Sequence, residues 1–434
     1  MKKKSIVSCL LILLLAVGGC SSQSEEERPQ LRLVSSGLQQ ASEKTFFHTF
    51  FKMFEAEYDV QVEVSFASSA DLETAISDEI DGGEITSDVI MVDTAYMRPY
   101  VENNYMASLD FLNLAQPRRT FTSFFDGFTH REGVRYFAPV SFDVYLSMFN
   151  KKALPYMPES VVVTRDGDLE ITKIENITWQ DISEWAKAIE EATGEAHFGF
   201  PNGLVGSQLL YPLASIAKSM GEHAFPSFND EGAQKAWGYL VDLHEDDALS
   251  YGSEYATVAH PTQLLNSEDL WMSFAHMGPL GSAYAANRSR YVLGPTPIDG
   301  LTGQGSSTAG SWAFGIVDGT ANYESAQKWI EFISSPEINY LYCSNLGGVI
   351  SPIEEVYDFL GNSATDEIMK IGLSIFEHDM DVTIVDTSSY TLWDEVKALY
   401  VELYEEMLES VPIDTAKLEE YQTLLDALKR DEDA

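Results

Sequence analysis

The chain has 434 residues, of which 68 are acidic and 27 basic, and its formal net charge at pH 7 is -41. This composition argues against nucleic acid as a partner, because basic side chains are needed to neutralise phosphates. The acidic residues are scattered, which indicates a well-solvated surface, and the length exceeds one ordinary hydrophobic core and indicates two domains.

The first 19 residues have the layout of a secretory signal peptide. Lysines at 2–4 precede an apolar run over 6–17, which is shorter than the roughly 20 residues of a membrane-spanning helix. The segment VGGC at 17–20 resembles the lipobox of bacterial lipoproteins, in which the cysteine is acylated and becomes the N-terminus. We therefore expect Cys20 to be acylated and to hold the chain at the membrane; an ordinary signal peptide with a chance cysteine is the alternative.

The segment after the signal peptide is predicted to be a tether. Residues 20–30 show no periodic apolar pattern, so a folded body would sit just off the bilayer. Cys9 leaves with the signal peptide and Cys20 is acylated, so Cys343 has no partner for a disulfide. We expect Cys343 to be a small buried hydrophobic residue, since no His or Cys adjoins it in sequence.

The folded part opens with a strand, a helix and a strand, the order of an α/β domain. Period-two alternation predicts strands and recurrence at three and four residues predicts helices. In chain order we predict a strand at 31–35, a helix around 46–54, a strand at 60–66, a helix over 72–80 ending at Gly82-Gly83, a strand at 88–92 and a helix at about 94–103.

Further elements follow from turn and capping signals. Asp166-Gly167 predicts a hairpin turn, because Asp-Gly favours positive φ. Thr178 and Asp181 have the spacing of a capping box before a helix with an apolar stripe. A helix at 323–335 should stop before Pro336, and two helices should follow at about 392–409 and 414–429.

Three stretches resemble the bacterial extracellular solute-binding proteins. Residues 88–110 resemble the family's strand, ligand-facing loop and helix. Residues 133–154 resemble its crossing strand, with a proline, an acidic residue four positions on and an aromatic-Asn-Lys ending. Residues 309–338 resemble its Gly-x-Trp strand, loop and amphipathic helix. The resemblance spans nearly the whole mature chain in the family's order.

The resemblance implies a two-lobe α/β fold of the periplasmic-binding-protein type II, with a ligand cleft between lobes joined by crossing strands. Hinge closure would then complete the burial of the ligand. The expected divisions are the signal peptide 1–19, tether 20–30, lobe 1 at 31–140 and 294–335, and lobe 2 at 141–293 and 336–434.

The implied function is a receptor, not an enzyme. It would bind a small solute, with a carbohydrate favoured, and deliver it to the permease subunits of an ABC transporter. The location would be extracytoplasmic, with the lipid anchor as the membrane contact. No cofactor and no metal site is expected.

A carbohydrate site needs flat aromatic faces and groups that hydrogen-bond hydroxyls. By the resemblance, Asp143 falls where the crossing strand carries a sugar-binding carboxylate, and Trp312 and Trp393 fall where sugar-stacking rings occur. The alternatives are a surface or hinge-capping role for Asp143 and core packing for both tryptophans.

Three more candidates lie at the ends of strands. Asp93 and Tyr96 follow the predicted strand at 88–92, where ligands bind in α/β sheets, although Asp93 could simply cap a helix. Ser36 lies in a first loop that is simpler than in many sugar-binding members. Leu280 follows Gly-Pro where maltose-binding members have tryptophan, which places maltodextrin specificity in doubt.

Two other functions remain open at this point. A ferric-ion receptor would use clustered tyrosines, for which Tyr96, Tyr100, Tyr136 and Tyr145 are candidates. A lipid-anchored glycoside hydrolase would use paired carboxylates such as Asp93 and Asp143 as acid and base. The sequence has no His-Glu-x-x-His and no Cys-x-x-Cys motif.

Overall fold

The structure is a computed structural model. It describes residues 28–37, 41–167, 170–201, 208–250, 260–377, 380–385, 387, 389–390 and 393–429. Cys20 and the predicted signal peptide lie outside these ranges. Within them, none of the helices has the length and apolar character of a membrane-spanning segment.

The strands build two main sheets and a two-stranded ribbon. They are β1 Gln30–Ser35, β2 Gln61–Phe66, β3 Val89–Asp93, β4 His130–Arg131, β5 Val134–Arg135, β6 Ala138–Pro139, β7 Asp143–Asn150, β8 Val162–Asp166, β9 Glu170–Asn176, β10 Phe198–Gly199, β11 Met272–His276, β12 Tyr291–Gly294, β13 Ser306–Gly310, β14 Trp312–Ile316 and β15 Asp381–Ile384.

Helices cover the faces of both sheets. The α-helices are α1 Ala41–Tyr58, α2 Ser69–Gly82, α3 Arg98–Glu102, α4 Asp126–Thr129, α5 Trp179–Thr193, α6 Leu210–Met220, α7 Glu231–Glu245, α8 His260–Ser267, α9 Met277–Ala286, α10 Tyr323–Ile333, α11 Pro336–Asn345, α12 Ala364–Glu377, α13 Trp393–Leu408 and α14 Thr415–Asp426.

The first sheet has the strand order β2-β1-β3-β14-β6. β1 pairs in parallel with β2 and β3, and β14 is antiparallel to β3. The phenylalanines of α1 pack against this sheet: Phe54 is fully buried and its ring lies 5.2 Å from that of Trp329 on α10. The predicted aromatic face of α1 therefore forms the core of this unit.

The second sheet has the order β10-β11-β7-β12-β9-β8, and β13 adds to it by pairing with β7 and β15. Its core includes the tryptophans of α5, as predicted from their spacing. The Trp185 ring stacks on Phe149 at 4.7 Å, and its indole N–H donates to the Ala153 carbonyl at 2.8 Å. The predicted capping box is present, since Thr178 and Asp181 exchange hydrogen bonds.

Short segments that lie side by side connect the two sheets. Residues 140–142 lead from β6 into β7, and Ser311 alone leads from β13 back to β14. The Ser311 hydroxyl donates to the Ser141 carbonyl, and the Val140 N–H donates to the Trp312 carbonyl at 2.9 Å. These bonds tie the crossing strands together where the lobes meet.

A third segment, residues 349–351, lies beside the first two. Phe142 and Ile350 donate to each other's carbonyls through their N–H groups, both at 2.8 Å. Cys343 is fully buried next to this junction, its sulfur 3.5 Å from the Val140 carbonyl oxygen, and burial raises the pKa of its thiol. The expectation that Cys343 is a buried hydrophobic residue is confirmed.

One predicted element is interrupted. The helix expected at about 94–103 is a 3-10 turn at Thr94–Tyr96 followed by α3, with Pro99 in the first turn of α3. Proline has no N–H to bond back to the carbonyl four residues earlier, so one continuous helix cannot run through this position.

The lobe boundaries expected from the family resemblance remain a prediction.

Candidate functional site

Three of the predicted residues meet at one edge of the first sheet. Asp93 ends β3 and Trp312 begins β14, and the two residues are direct partners in the ladder. Ser36 follows the adjacent strand β1, and its N–H and hydroxyl both bond to the Met91 carbonyl, at 3.0 and 3.3 Å. Because the carboxyl ends of β1 and β3 lie side by side, these residues converge at the junction with the second sheet.

Asp93 is partly buried beside the crossing segments. One carboxylate oxygen accepts a hydrogen bond of 2.8 Å from the Ala95 N–H. Burial raises the pKa of the Asp93 carboxyl from 3.8 to about 6, although this hydrogen bond and the nearby Lys397 and His276 act in the opposite direction. Asp93 therefore caps the 3-10 turn at Thr94–Tyr96 and also lies at the junction of the two sheets.

Asp143 reaches the same region from the second sheet. It begins β7 and pairs with Gly310, two residues before Trp312. The Gly278 N–H lies 3.4 Å from one carboxylate oxygen of Asp143, and the Nδ1 atom of His276 lies 3.7 Å from the same oxygen. The Asp143 side chain remains about a quarter exposed (26%) and so retains capacity to accept further hydrogen bonds.

Tyr96 links the first-sheet loop to α13. The ammonium group of Lys397 lies 3.4 Å from the Tyr96 hydroxyl oxygen and 3.0 Å from a carboxylate oxygen of Asp394. Burial raises the pKa of the Tyr96 hydroxyl, against the lowering effect of Lys397. Lys397 therefore places a cation beside Tyr96, and no sequence pattern predicted it.

Two residues near this edge, His276 and Tyr211, were not predicted. His276 ends β11. The centre of its ring lies 4.1 Å from that of Tyr145 and 6.1 Å from that of Tyr211 on α6. Within the described part of the chain, the Tyr145 hydroxyl and the His276 Nδ1 are buried without a hydrogen-bond partner. The strand-end rule that identified Asp93 would also have identified His276; Tyr211 gives no comparable signal.

Trp393 does not join this group. Only 7% of its surface is exposed, and its ring packs 5.5 Å from that of Tyr390 in the core of the second sheet. This placement favours the core-packing alternative for Trp393. Trp312, in contrast, is only partly buried.

The groups that meet at the junction can hydrogen-bond and stack. Asp93 and Asp143 offer carboxylate acceptors, Tyr211 offers a hydroxyl, and the Trp312 ring is flat and apolar. Among the described residues no group of three or more His, Cys, Asp or Glu side chains could hold a metal ion. This combination suits a ligand with many hydroxyl groups.

The ferric-ion alternative receives no support from the packing. Tyr100 and Tyr136 belong to a hydrophobic cluster of the first sheet, whereas Tyr145 belongs to the core of the second. The four tyrosines considered for iron are therefore divided between two hydrophobic units.

Two surface cavities lie elsewhere on the second sheet. One, of about 760 Å³, lies between β9 and α12 and is lined in part by Lys173 and Ile371. The second, of about 730 Å³, shares these two residues and extends to Met380. None of the predicted site residues lines either cavity.

Two α/β units joined by crossing segments, with polar and aromatic groups at the junction, define a two-lobe binding protein. Residues 49–370 match the bacterial extracellular solute-binding protein family, and the chain belongs to this family. A comparison with curated proteins gives no match.

Several solved structures share the fold. Maltose-bound MalE3 of T. maritima is 17% identical, with 92% of this chain and 99% of that chain covered and a TM-score of 0.71. The GacH receptor of Streptomyces glaucescens GLA.O, solved unliganded and with acarbose, is 16% identical over 92% and 99%, with a TM-score of 0.68. A solute-binding protein from Thermotoga lettingae TMO bound to α-D-tagatose is 15% identical over 92% and 98%, with a TM-score of 0.66.

Proposed function

We propose that this solute-binding protein is a carbohydrate receptor that takes up its ligand at the junction of the two sheets. Asp143 and Asp93 accept hydrogen bonds from sugar hydroxyls, Trp312 stacks on the sugar ring, and Tyr96 and Ser36 border the site from the first sheet. His276 and Tyr211 complete it from the second. Trp393 supports the second lobe from its core.

The observation that carries the proposal is the unused bonding capacity of Asp143. A carboxylate can accept about four hydrogen bonds, and within the described residues Asp143 receives only the long contact from Gly278 at 3.4 Å. Because the side chain is about a quarter exposed (26%), its free acceptor positions are accessible to the hydroxyl groups of a sugar. Trp312 lies two residues from the ladder partner of Asp143, so a stacking surface adjoins this acceptor.

The same proposal includes the route of the solute. Acylated Cys20 holds the receptor at the outer face of the cell membrane, and residues 20–30 give it reach. Ligand binding closes the lobes around the crossing segments, and the closed form delivers the sugar to the permease subunits of an ABC importer. The match to the extracellular solute-binding family supports this location.

Calorimetric titration tests the proposal, with maltose, D-tagatose and D-mannitol as first ligands because structural neighbours bind them. We expect at least one to bind, and Asp143→Asn to weaken binding roughly 5- to 150-fold, equivalent to about 1 to 3 kcal/mol. Asp318→Asn, an exposed acid after β14, is the matched control and should bind normally.

Two outcomes would contradict the proposal. A polyamine, a phosphate ester or a metal ion could raise the melting temperature while no sugar or polyol does, since a ligand of the folded state stabilises it. Turnover of a chromogenic glycoside, lost in Asp93→Asn and Asp143→Asn, would instead identify a hydrolase.

A further inference from the structure

We propose that Gly37 is a positioning residue that sets the place of the Trp312 ring in the binding site, an inference that rests on the proposed carbohydrate function. Gly37 lies two residues after β1 and faces Trp312 at the start of β14. A Cβ atom added at Gly37 would lie 2.5, 2.5 and 2.8 Å from Cη2, Cζ3 and Cζ2 of the Trp312 ring.

These distances show how the two residues meet. Cζ3, Cη2 and Cζ2 are consecutive atoms of the six-membered ring, so a point at nearly equal distance from all three lies over the face of the ring. Gly37 therefore covers one face of Trp312 with bare backbone. The opposite face of the partly buried ring is the one that stacks on a sugar.

Space, and not backbone conformation, requires glycine here. Gly37 is not among the glycines with a positive φ, so its φ does not itself exclude alanine. The contact with Trp312 is what excludes a methyl group, because a Cβ closer than 3.0 Å to ring carbons forces something to move.

Hydrogen bonds hold the backbone on both sides of this contact. The loop is fixed by the Ser36 N–H, which donates to the Met91 carbonyl at 3.0 Å, and by the Gly37 N–H, which donates to the Ser35 hydroxyl at 3.1 Å. On the other side, Trp312 is fixed by its pairing with Asp93. A methyl group at residue 37 must therefore displace the indole ring, and with it the stacking surface.

The first test needs no ligand. In the full chain labelled with 5-fluorotryptophan, the ¹⁹F resonance of Trp312 is assigned by its loss in Trp312→Phe. We expect Gly37→Ala to shift this resonance, and Gly127→Ala to leave it in place, because a Cβ at Gly127 has no atom within 4 Å. A Trp312 resonance unchanged in Gly37→Ala would overturn the inference.

The second test is a double-mutant cycle with the tightest binder among maltose, D-tagatose and D-mannitol. Gly37→Ala should weaken binding roughly 2- to 13-fold, the range of a lost aromatic contact. In a Trp312→Ala background, Gly37→Ala should have no further effect, because the ring that the methyl meets is gone. Additive losses would overturn the inference.

The cycle also separates this inference from the proposed function. If Trp312→Ala binds sugar as tightly as the native chain, the proposed stacking site is wrong, whereas the ¹⁹F result still tests the contact. If Gly37→Ala folds poorly, Trp312→Phe in the same chain should restore the melting temperature, because phenylalanine lacks the distal ring atoms that clash. Failure of this rescue would count against the contact itself.

Discussion

At the scale of single residues, burial at the junction makes ionisation of the Asp93 carboxyl unfavourable. Its carboxyl pKa is raised from 3.8 to about 6 by burial, so the folded chain holds a proton on Asp93 more tightly than the unfolded chain does. Stability from this group is fully present below about pH 4 and is lost as the pH rises through about 6. At neutral pH the folded protein therefore holds an ionised Asp93 carboxylate, at a cost in folding free energy, where the proposed ligand binds.

This cost predicts a pH-dependent effect of Asp93→Asn. Asparagine can still accept the hydrogen bond from Ala95 but carries no charge, so the variant should be more stable than the native chain at pH 7.5, by on the order of 1 to 3 kcal/mol. At pH 4.5 the advantage should be clearly smaller. Melting temperatures of both proteins at the two pH values measure it, and an advantage that does not change with pH would contradict the raised pKa.

The sequence identified some of the residues at the junction by pattern and others only by resemblance. Asp93 follows a buried strand, so its position follows from the strand-end rule, whereas Asp143 and Trp312 were identified through the resemblance to the solute-binding family. Lys397 and Tyr211 lie on α13 and α6, and only the packing of distant segments brings them to the junction. The same limit hid the contact of Gly37 with Trp312, which depends on the approach of β1 and β14.

At the scale of elements, α9 is held unusually close to the turn after α11. A Cβ added at Gly281 would lie 1.6 Å from the Gly347 carbonyl oxygen, and Gly347 itself has a φ of +88°. This approach lets α9 present the Gly278 N–H to Asp143. Two helices and a crossing segment thus position the proposed acceptor through backbone contacts that only glycine permits.

Gly281→Ala should therefore destabilise the protein by about 1 to 3 kcal/mol, the usual cost of forcing a methylene into a packed region. Gly238→Ala on α7 is the matched control: a Cβ there has no atom within 4 Å, so alanine should stabilise the helix by roughly 0.5 to 1 kcal/mol. Denaturant unfolding of both variants measures the contrast. Equal stability of the two variants would show that α9 moves away from the turn at no cost.

Most elements could be predicted because their patterns are local. The alternation in β1 and β2, the aromatic stripe of α1 and the capping box of α5 each occupy one short window. The broken helix at Thr94–Tyr96 shows the limit, because the apolar pattern continues there while Pro99 removes a backbone donor. The order of strands within the two sheets depends on long-range pairing, which no local pattern shows, and it was not predicted.

At the scale of the whole molecule, the proposed receptor is held at the membrane by a lipid anchor. The lipobox-like segment at 17–20 predicts that the mature chain begins at an acylated Cys20 and remains with membranes. Intact-mass analysis of native protein should show the added acyl mass, and Cys20→Ala should release the chain from the membrane fraction. An unmodified, freely soluble product cleaved elsewhere would contradict this part of the proposal.

The proposed function requires that a sugar binds where the two sheets meet. The decisive measurement is a crystal structure of the complex with the tightest binder among maltose, D-tagatose and D-mannitol. We expect the sugar ring on the face of Trp312 opposite Gly37, with its hydroxyls donating to Asp143 and the lobes closed around it. Sugar found instead in the cavity between β9 and α12, beside Lys173 and Ile371, with the junction unoccupied, would refute this proposal.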